Sequence, residues 1–193
     1  MVRNYMEVLY DNEEMETERL LLRKFKKEDA SDILEYGSDK QTLKYLIWEG
    51  VETLDDALNS VIDYYWSRPG IYAIELKENK KCIGAIDLRS EAEHEKSSFG
   101  FVLNRECWNK GYMSEALSAV LKLCFEKLDL NRVESCHYVG NEGSGKVMEK
   151  CGMKQEGFRK QGDKVKGVFQ DVVYYGITKE DWILITNDAA IRV

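Results

Sequence analysis

From Met113 onward, Met113, Ala116, Leu117, Val120, Leu121, Cys124, Phe125 and Leu128 recur three and four positions apart, the period of a helix that buries one face. That pattern predicts a helix packed on a sheet. Leu54, Ala57, Leu58, Val61, Ile62 and Tyr65 repeat the spacing, and Thr53 ahead of them, with Asp56 three residues on, resembles a capping box. Ala30, Ile33 and Leu34 mark a shorter helix. Ser144, Val147, Met148 and Cys151 share one face of a further helix, which stops at Gly152, a typical C-terminal cap.

Strand patterns lie between the helices. RLLLRKF (19–25) opens the series; IYAIEL (71–76) and CIGAIDL (82–88) read as a hairpin across a polar turn, and SSFGFVL (97–103) should pair next. RVESCHYV (132–139) and DVVYYGI (171–177) are the later strands. The order is β-α-α-β-β-β-α-β-α-β-β, with one late β-α-β crossover. It predicts an α/β (α+β mixed) fold, a central mixed and mostly antiparallel sheet with helices on both faces. Gly100, inside a strand, marks either a bulge or close approach of another backbone or ligand, or a tolerated glycine.

Composition narrows the reading. At 193 residues with 44% hydrophobic content, one core is affordable, and no repeat or low-complexity run divides it. We expect one domain over 16–182, an acidic and irregular extension over 1–15, and a tail over 183–193. No apolar run approaches the roughly 20 residues of a membrane span, and the start lacks the apolar core of a secretory signal, so a cytoplasmic protein that engages no membrane is expected. Cys82, Cys107, Cys124, Cys136 and Cys151 are an odd set without CxxC spacing and read as reduced, packed thiols; His94 and His137 are too isolated for a zinc cluster, so no metal is expected. A net charge of -7 argues against a general nucleic-acid binder and is compatible with a cationic small partner.

Two glycine-containing loops compete for chemistry. NRECWNKGY (104–112) joins a strand to the helix from Met113, and a helix start offers unpaired N–H groups and partial positive charge to an anion. Gly111 lets the backbone approach a ligand, and Lys110 adds charge; the alternative is a turn that merely feeds the helix. GNEGSGKV (140–147) nearly matches the P-loop pattern, but Val147 stands where a hydroxyl must ligate Mg²⁺, which argues against a nucleotide site.

With both loops in view, the ordered set of segments resembles the GNAT superfamily of N-acetyltransferases, and within it the branch that acetylates ribosomal-protein N-terminal alanine and serine. TERLLLRKFKKEDA (17–30) resembles that branch's opening strand and helix, and CIGAIDL its central hairpin strand. FGFVLNRECWNKGYMSEAL (99–117) resembles its cofactor segment, and NEGSGKVMEKCGMKQEG (141–157) its Asn-x-x-Ser helix. The resemblance covers residues 16 to about 182.

It implies a sheet splayed between the fourth and fifth strands, with Gly100 at the bulge that starts the splay and acetyl-CoA entering the gap along Phe101, Val102 and Leu103. It implies a pyrophosphate loop over Trp108, Asn109, Lys110, Gly111, Tyr112, Met113 and Ser114, although Asn109 and Met113 stand where glycine or alanine is common. Asn141 and Ser144 fall near the cofactor thiol: Ser144 is placed to donate to the leaving sulfur and Asn141 to orient the pantetheine or a water, unless the Ser144 hydroxyl bonds the backbone. Met148, also expected near the cofactor, holds the position of a tyrosine that many relatives use as general acid, and Ser98 the position of a common glutamate. The base is thus unassigned among Asp87, Glu91 and a water chain.

Tyr45, Trp48 and Glu49 fall where relatives wall the acceptor cleft, and they or Asp87 meet the substrate unless the aromatics are core. The expected reaction is direct attack of a primary amine, on a protein N-terminus or a small cationic molecule, on the acetyl group. The rival reading is a non-catalytic CoA-binding regulatory module. A monomer or homodimer fits either.

Overall fold

The computed structural model describes residues 4–191. Among them eight strands form one sheet in the order β1-β2-β3-β4-β5-β6-β8-β7. The strands are β1 (Met15–Glu16), β2 (Leu20–Arg23), β3 (Ile71–Leu76), β4 (Cys82–Glu91), β5 (Lys96–Leu103), β6 (Arg132–Tyr138), β7 (Lys154–Val165) and β8 (Val168–Thr178). The helices are α1 (Tyr5–Asp11), α2 (Ala30–Gly37), α3 (Lys40–Leu43), α4 (Leu54–Ser60), α5 (Tyr112–Lys122), α6 (Glu142–Lys150) and α7 (Lys179–Ile191). Every neighbouring pair of strands is antiparallel except β5 and β6, which the crossover through α5 makes parallel.

Both faces of the sheet are covered, which is why β3, IYAIEL, is buried at every position rather than at alternate ones. Tyr72, Ile74, Ile83, Ile86, Leu88 and Phe99 pack against α5 and its continuation on one face. Ile71, Ala73, Ala85 and Val102 pack with α2 and α4 on the other. The Thr53–Asp56 capping box at α4 forms as expected. Leu54, at the first position of α4, and Ile62 nevertheless point to solvent; the buried face runs through Ala57 into Val61 and Tyr65, which lie in a wider π-helical turn that continues the helix.

The start of the chain differs from its expected irregularity. Asn4 caps α1, and Tyr5 and Leu9 are buried in the same core as α5. The expected tail is helical as far as it is described, as the continuation of α7. No helix among the described residues is long and apolar enough to cross a membrane.

The splay between β5 and β6 is the feature that positions the site. Their ladder covers Lys96–Ser98 against Arg132–Glu134 and then ends; the Ser135 hydroxyl makes a last tie by donating to the Phe99 carbonyl at 2.7 Å. Beyond it β6 follows β8 and β5 follows β4, leaving a wedge between them. No bulge starts this wedge: the β4–β5 register runs unbroken from Gly84–Leu103 to Glu91–Lys96, through Gly100. The close backbone approach expected at Gly100 occurs at Gly84, where a Cβ would sit 2.2 Å from the Val102 carbonyl oxygen.

Candidate active site

At the open end of β5 the chain makes a 3₁₀ turn over Arg105–Cys107 and reaches α5 through the loop ending at Gly111. The turn is fixed by its own side chains. Asn104 accepts from the Glu106 N–H at 3.0 Å and donates to Glu35 at 2.8 Å, and the Trp108 indole donates to the Leu103 carbonyl at 2.8 Å. Asn109 and Gly111 both take the left-handed conformation, with φ of 60° and 83°. Asn109, found where glycine is common, is the side chain that tolerates this conformation best. The outcome is a row of backbone N–H groups, from Asn109 to Ser114, without an acceptor among the described residues. They open α5 where its partial positive charge is greatest.

A latch from the start of the domain holds the loop. Arg19 donates to the Lys110 carbonyl at 3.0 Å, lies over the Tyr112 ring at 4.5 Å and pairs with Glu115 at 2.7 Å. Thr17 donates to the same Glu115 carboxylate at 2.6 Å. Burial works to raise the Glu115 carboxyl, but the bonds from Thr17 and Arg19 outweigh it and hold it below the ordinary glutamate value. Sequence reading missed this latch, since 96 residues separate Arg19 from Glu115 and no local pattern links them.

The loop forms one end of a cleft of about 370 Å³ that follows the wedge. Phe101, Val102, Leu103, Trp108, Asn109, Gly111, Tyr112, Met113, Ser114, Asn141 and Ser144 all line it, and Tyr45 joins them from the segment after α3. Lys110 and Met148 do not. The Lys110 carbonyl is taken by Arg19, and Met148 is fully buried beneath α6. Trp48 stands outside the lining and packs against Gly37 at the end of α2. Asp87 does not line the cleft: it lies on the sheet face away from α5, where Arg68, Arg89 and the Tyr64 hydroxyl occupy both carboxylate oxygens.

The side chains of Asn141 and Ser144 are half-buried, and neither makes a hydrogen bond within the described residues. The Ser144 hydroxyl is therefore not consumed in capping its own helix, unlike that of Ser118, which donates to the Ser114 carbonyl at 2.8 Å. Gly140, at φ 95°, lets Tyr45 close on the end of β6; a Cβ there would lie 2.7 Å from the phenol oxygen. Lys44, Lys146 and Lys150 also line the cleft, against the single carboxylate of Glu142, so its lining is net basic although the chain as a whole is acidic.

The P-loop reading fails on geometry. Helix α6 begins at Glu142, so Gly145 and Lys146 sit on helical backbone and form no loop. Gly145 is buried to admit His137 and Tyr175, which a Cβ would approach to 2.9 and 3.1 Å. No cluster of metal-ligating side chains occurs among the described residues. All five cysteines are free, four of them buried, and burial pushes the Cys82, Cys107, Cys124 and Cys151 thiols up, away from reactivity.

Residues 19–154 match the family model described as an acetyltransferase (GNAT) domain. The chain belongs to the GNAT family. The uncharacterized N-acetyltransferase YnaD of Bacillus subtilis is 34% identical over 166 residues, 86% of this chain and 97% of its own length. YdaF of the same organism, which carries the provisional name ribosomal N-acetyltransferase, is 31% identical over 173 residues, 86% of this chain and 94% of that protein. A solved GNAT-family acetyltransferase from Bacillus anthracis superposes with a TM-score of 0.79 at 34% identity, covering 86% of this chain and 99% of that one. In this GNAT protein the wedge, the α5 loop and the start of α6 therefore form one continuous cleft on a family fold.

Proposed function

We propose that this GNAT protein is an acetyl-CoA-dependent N-acetyltransferase that acts in a ternary complex on a primary amine. The observation that carries the reading is the convergence, in one cleft, of the unpaired N–H groups at Asn109–Ser114 with the unspent Ser144 hydroxyl and Asn141 amide. Acetyl-CoA supplies an activated thioester and an anionic pyrophosphate. The residues present fit both ends of it, with N–H donors and lysines toward the phosphates and a lone hydroxyl toward the sulfur.

In this reading the N–H row and the α5 terminus bind the pyrophosphate, and Lys44, Lys146 and Lys150 add positive potential along the cleft. The β5 edge from Phe101 to Leu103, which no strand pairs on the wedge side, offers backbone groups to the pantetheine amides. Ser144 donates to the departing sulfur, and Asn141 orients the arm or a bound water. Asp87 is a poor base here because three side chains hold its carboxylate. Glu91 pairs with Lys96 at 3.4 Å at the far end of β4, so a water path serves best to take the amine's proton.

The acceptor belongs among protein N-termini and small-molecule amines, and the reduced thiols favour a cytoplasmic location. The overall acidity no longer recommends a cationic acceptor, since the cleft walls carry the opposite sign. Turnover followed by free-thiol release across an amine panel tests the function. Ser144→Ala should keep CoA affinity by calorimetry and lose about 10²-fold in kcat, the scale of one lost transition-state donor. Full turnover in that variant would remove Ser144 from the chemistry, and CoA binding without transfer to any amine would favour the regulatory module.

A further inference from the structure

On the sheet face away from α5, the wedge is flanked by a charged group that the cofactor reading leaves unused. Asp87 of β4 is almost fully buried and accepts from the Tyr64 hydroxyl at 2.6 Å, from Arg89 Nη2 at 2.6 Å and Nε at 2.9 Å, and from Arg68. Arg68 is further fixed by donating to the Leu88 carbonyl at 2.7 Å. Two guanidinium groups against one carboxylate leave a net positive charge.

Arg89 is the accessible member, with its side chain 47% exposed and its Nη1 outside the pairing with Asp87. Its position is set by register. Arg89 pairs with Ser98, the last β5 residue in the parallel ladder, and its guanidinium lies above Gly100, 3.5 Å from where a Cβ would stand. The charge therefore sits where the two strands begin to part, on the face opposite the α5 helix.

Across the wedge, the Cys136 thiol of β6 is pushed up mainly by burial and by the Asp163 carboxylate and is drawn down by Arg89, so both charges reach it, and Tyr138 donates to Asp163 at 3.3 Å. A guanidinium on the β4–β5 side and, on the other, a β7 carboxylate held by the β6 tyrosine suit a molecule that carries both kinds of charge. This side is also bridged. Lys166, at the tip between β7 and β8, donates to the Leu43 carbonyl at 3.2 Å and approaches Glu49 at 3.9 Å, while Tyr45 closes on Gly140. A bridge of this kind admits a small molecule more readily than a polypeptide.

We propose that Arg89, held rigid by Asp87, Arg68 and Tyr64, binds a carboxylate of the acceptor, so that the acceptor is a small amine bearing a carboxylate close to its amino group. The inference rests on the acetyltransferase reading and deepens it. An arginine locked by a buried acid loses little freedom on binding and offers a planar fork to a carboxylate. A guanidinium near the attacking amine also favours its neutral, nucleophilic form and disfavours a polyamine.

The test is acetyl transfer, read by free-thiol release, on matched sets of an amino acid, its carboxamide and its decarboxylated amine. The expected result is a kcat/KM about tenfold or more higher for the carboxylate-bearing member, the scale of a charged hydrogen bond. Arg89→Gln should erase that preference mainly through KM, and Arg89→Lys should keep part of it, with CoA affinity in each variant reporting an intact fold. Equal or better turnover of the decarboxylated amines, of polyamines or of carboxamide-capped peptides would overturn the proposal, as would an unchanged preference in Arg89→Gln. CoA binding without transfer to any amine would instead bring down the acetyltransferase reading on which it rests.

Discussion

Two junctions between a strand and a helix set lysine beside glycine, Lys110–Gly111 ahead of α5 and Gly145–Lys146 after β6, and their backbones do opposite things. At the first, Asn109 and Gly111 turn left-handed, the helix starts late and a row of N–H groups remains open. At the second, helix α6 has begun at Glu142 before the glycine is reached, and Gly145 serves contact with His137 and Tyr175. Glycine supplies backbone freedom in one place and a missing Cβ in the other. What separates an open row of N–H groups from a packing site is thus the φ of the residues before the helix, which the residue string carries only indirectly.

The largest effect that would break this contrast is a charge placed in the open row. Gly111→Asp puts a carboxylate where an anion should bind, and CoA affinity by calorimetry should fall by more than about 100-fold, a loss of over 2.7 kcal/mol. The circular dichroism spectrum should stay that of the parent. Unchanged affinity would remove the loop from cofactor binding. Gly145→Val probes the other junction: a branched side chain forced against His137 and Tyr175 should cost about 1–3 kcal/mol, read as a lower melting temperature. The folded variant should bind CoA within about threefold of the parent, whereas a wild-type melt with lost CoA binding would mean that Gly145 belongs to the ligand site.

The same contrast explains what could be read without coordinates. The helix from Met113, the capped helix at Thr53 and the strand-loop-helix order were legible because each depends on neighbours within a few residues. The strand β7, KQEGFRKQGDKV, was not assigned a range. It lies at the sheet edge with most side chains exposed, so no alternation of apolar and polar residues marks it. Helix α1 escaped for a similar reason, burying only Tyr5 and Leu9 in an acidic stretch. Most of the loop and α6 residues expected at the cofactor do meet in one cleft. The proposed acceptor side was less legible, because Tyr64 and Arg68 reach Asp87 from 23 and 19 residues away and Lys166 reaches Leu43 across 123, and net charge averages over surfaces that never face the cleft.

A smaller effect tests why Asn109 can stand in place of glycine. Asn109→Gly should be close to neutral in stability, while Asn109→Ala, which must hold a Cβ at φ 60°, should lose about 1 kcal/mol in thermal or urea melts. The alanine variant should also bind CoA less tightly, since two of the open N–H groups flank this residue. If alanine and glycine behaved alike, the left-handed turn would not be what spaces the row.

The smallest effect comes from the latch that holds this row from outside. Because Glu115 sits below its ordinary value when folded, its bonds to Thr17 and Arg19 contribute fully above the unfolded glutamate range, about pH 4.3, and are lost as pH falls through the folded value. Arg19 is 42% exposed, so solvent and salt screen the pair and its worth should be about 1 kcal/mol or less. Glu115→Gln should therefore melt slightly lower than the parent at pH 7 and at pH 5.5, with the difference shrinking only below about pH 4. A difference that disappeared between pH 7 and 5.5 would assign the titration to another group and leave the open loop held by its own turn alone.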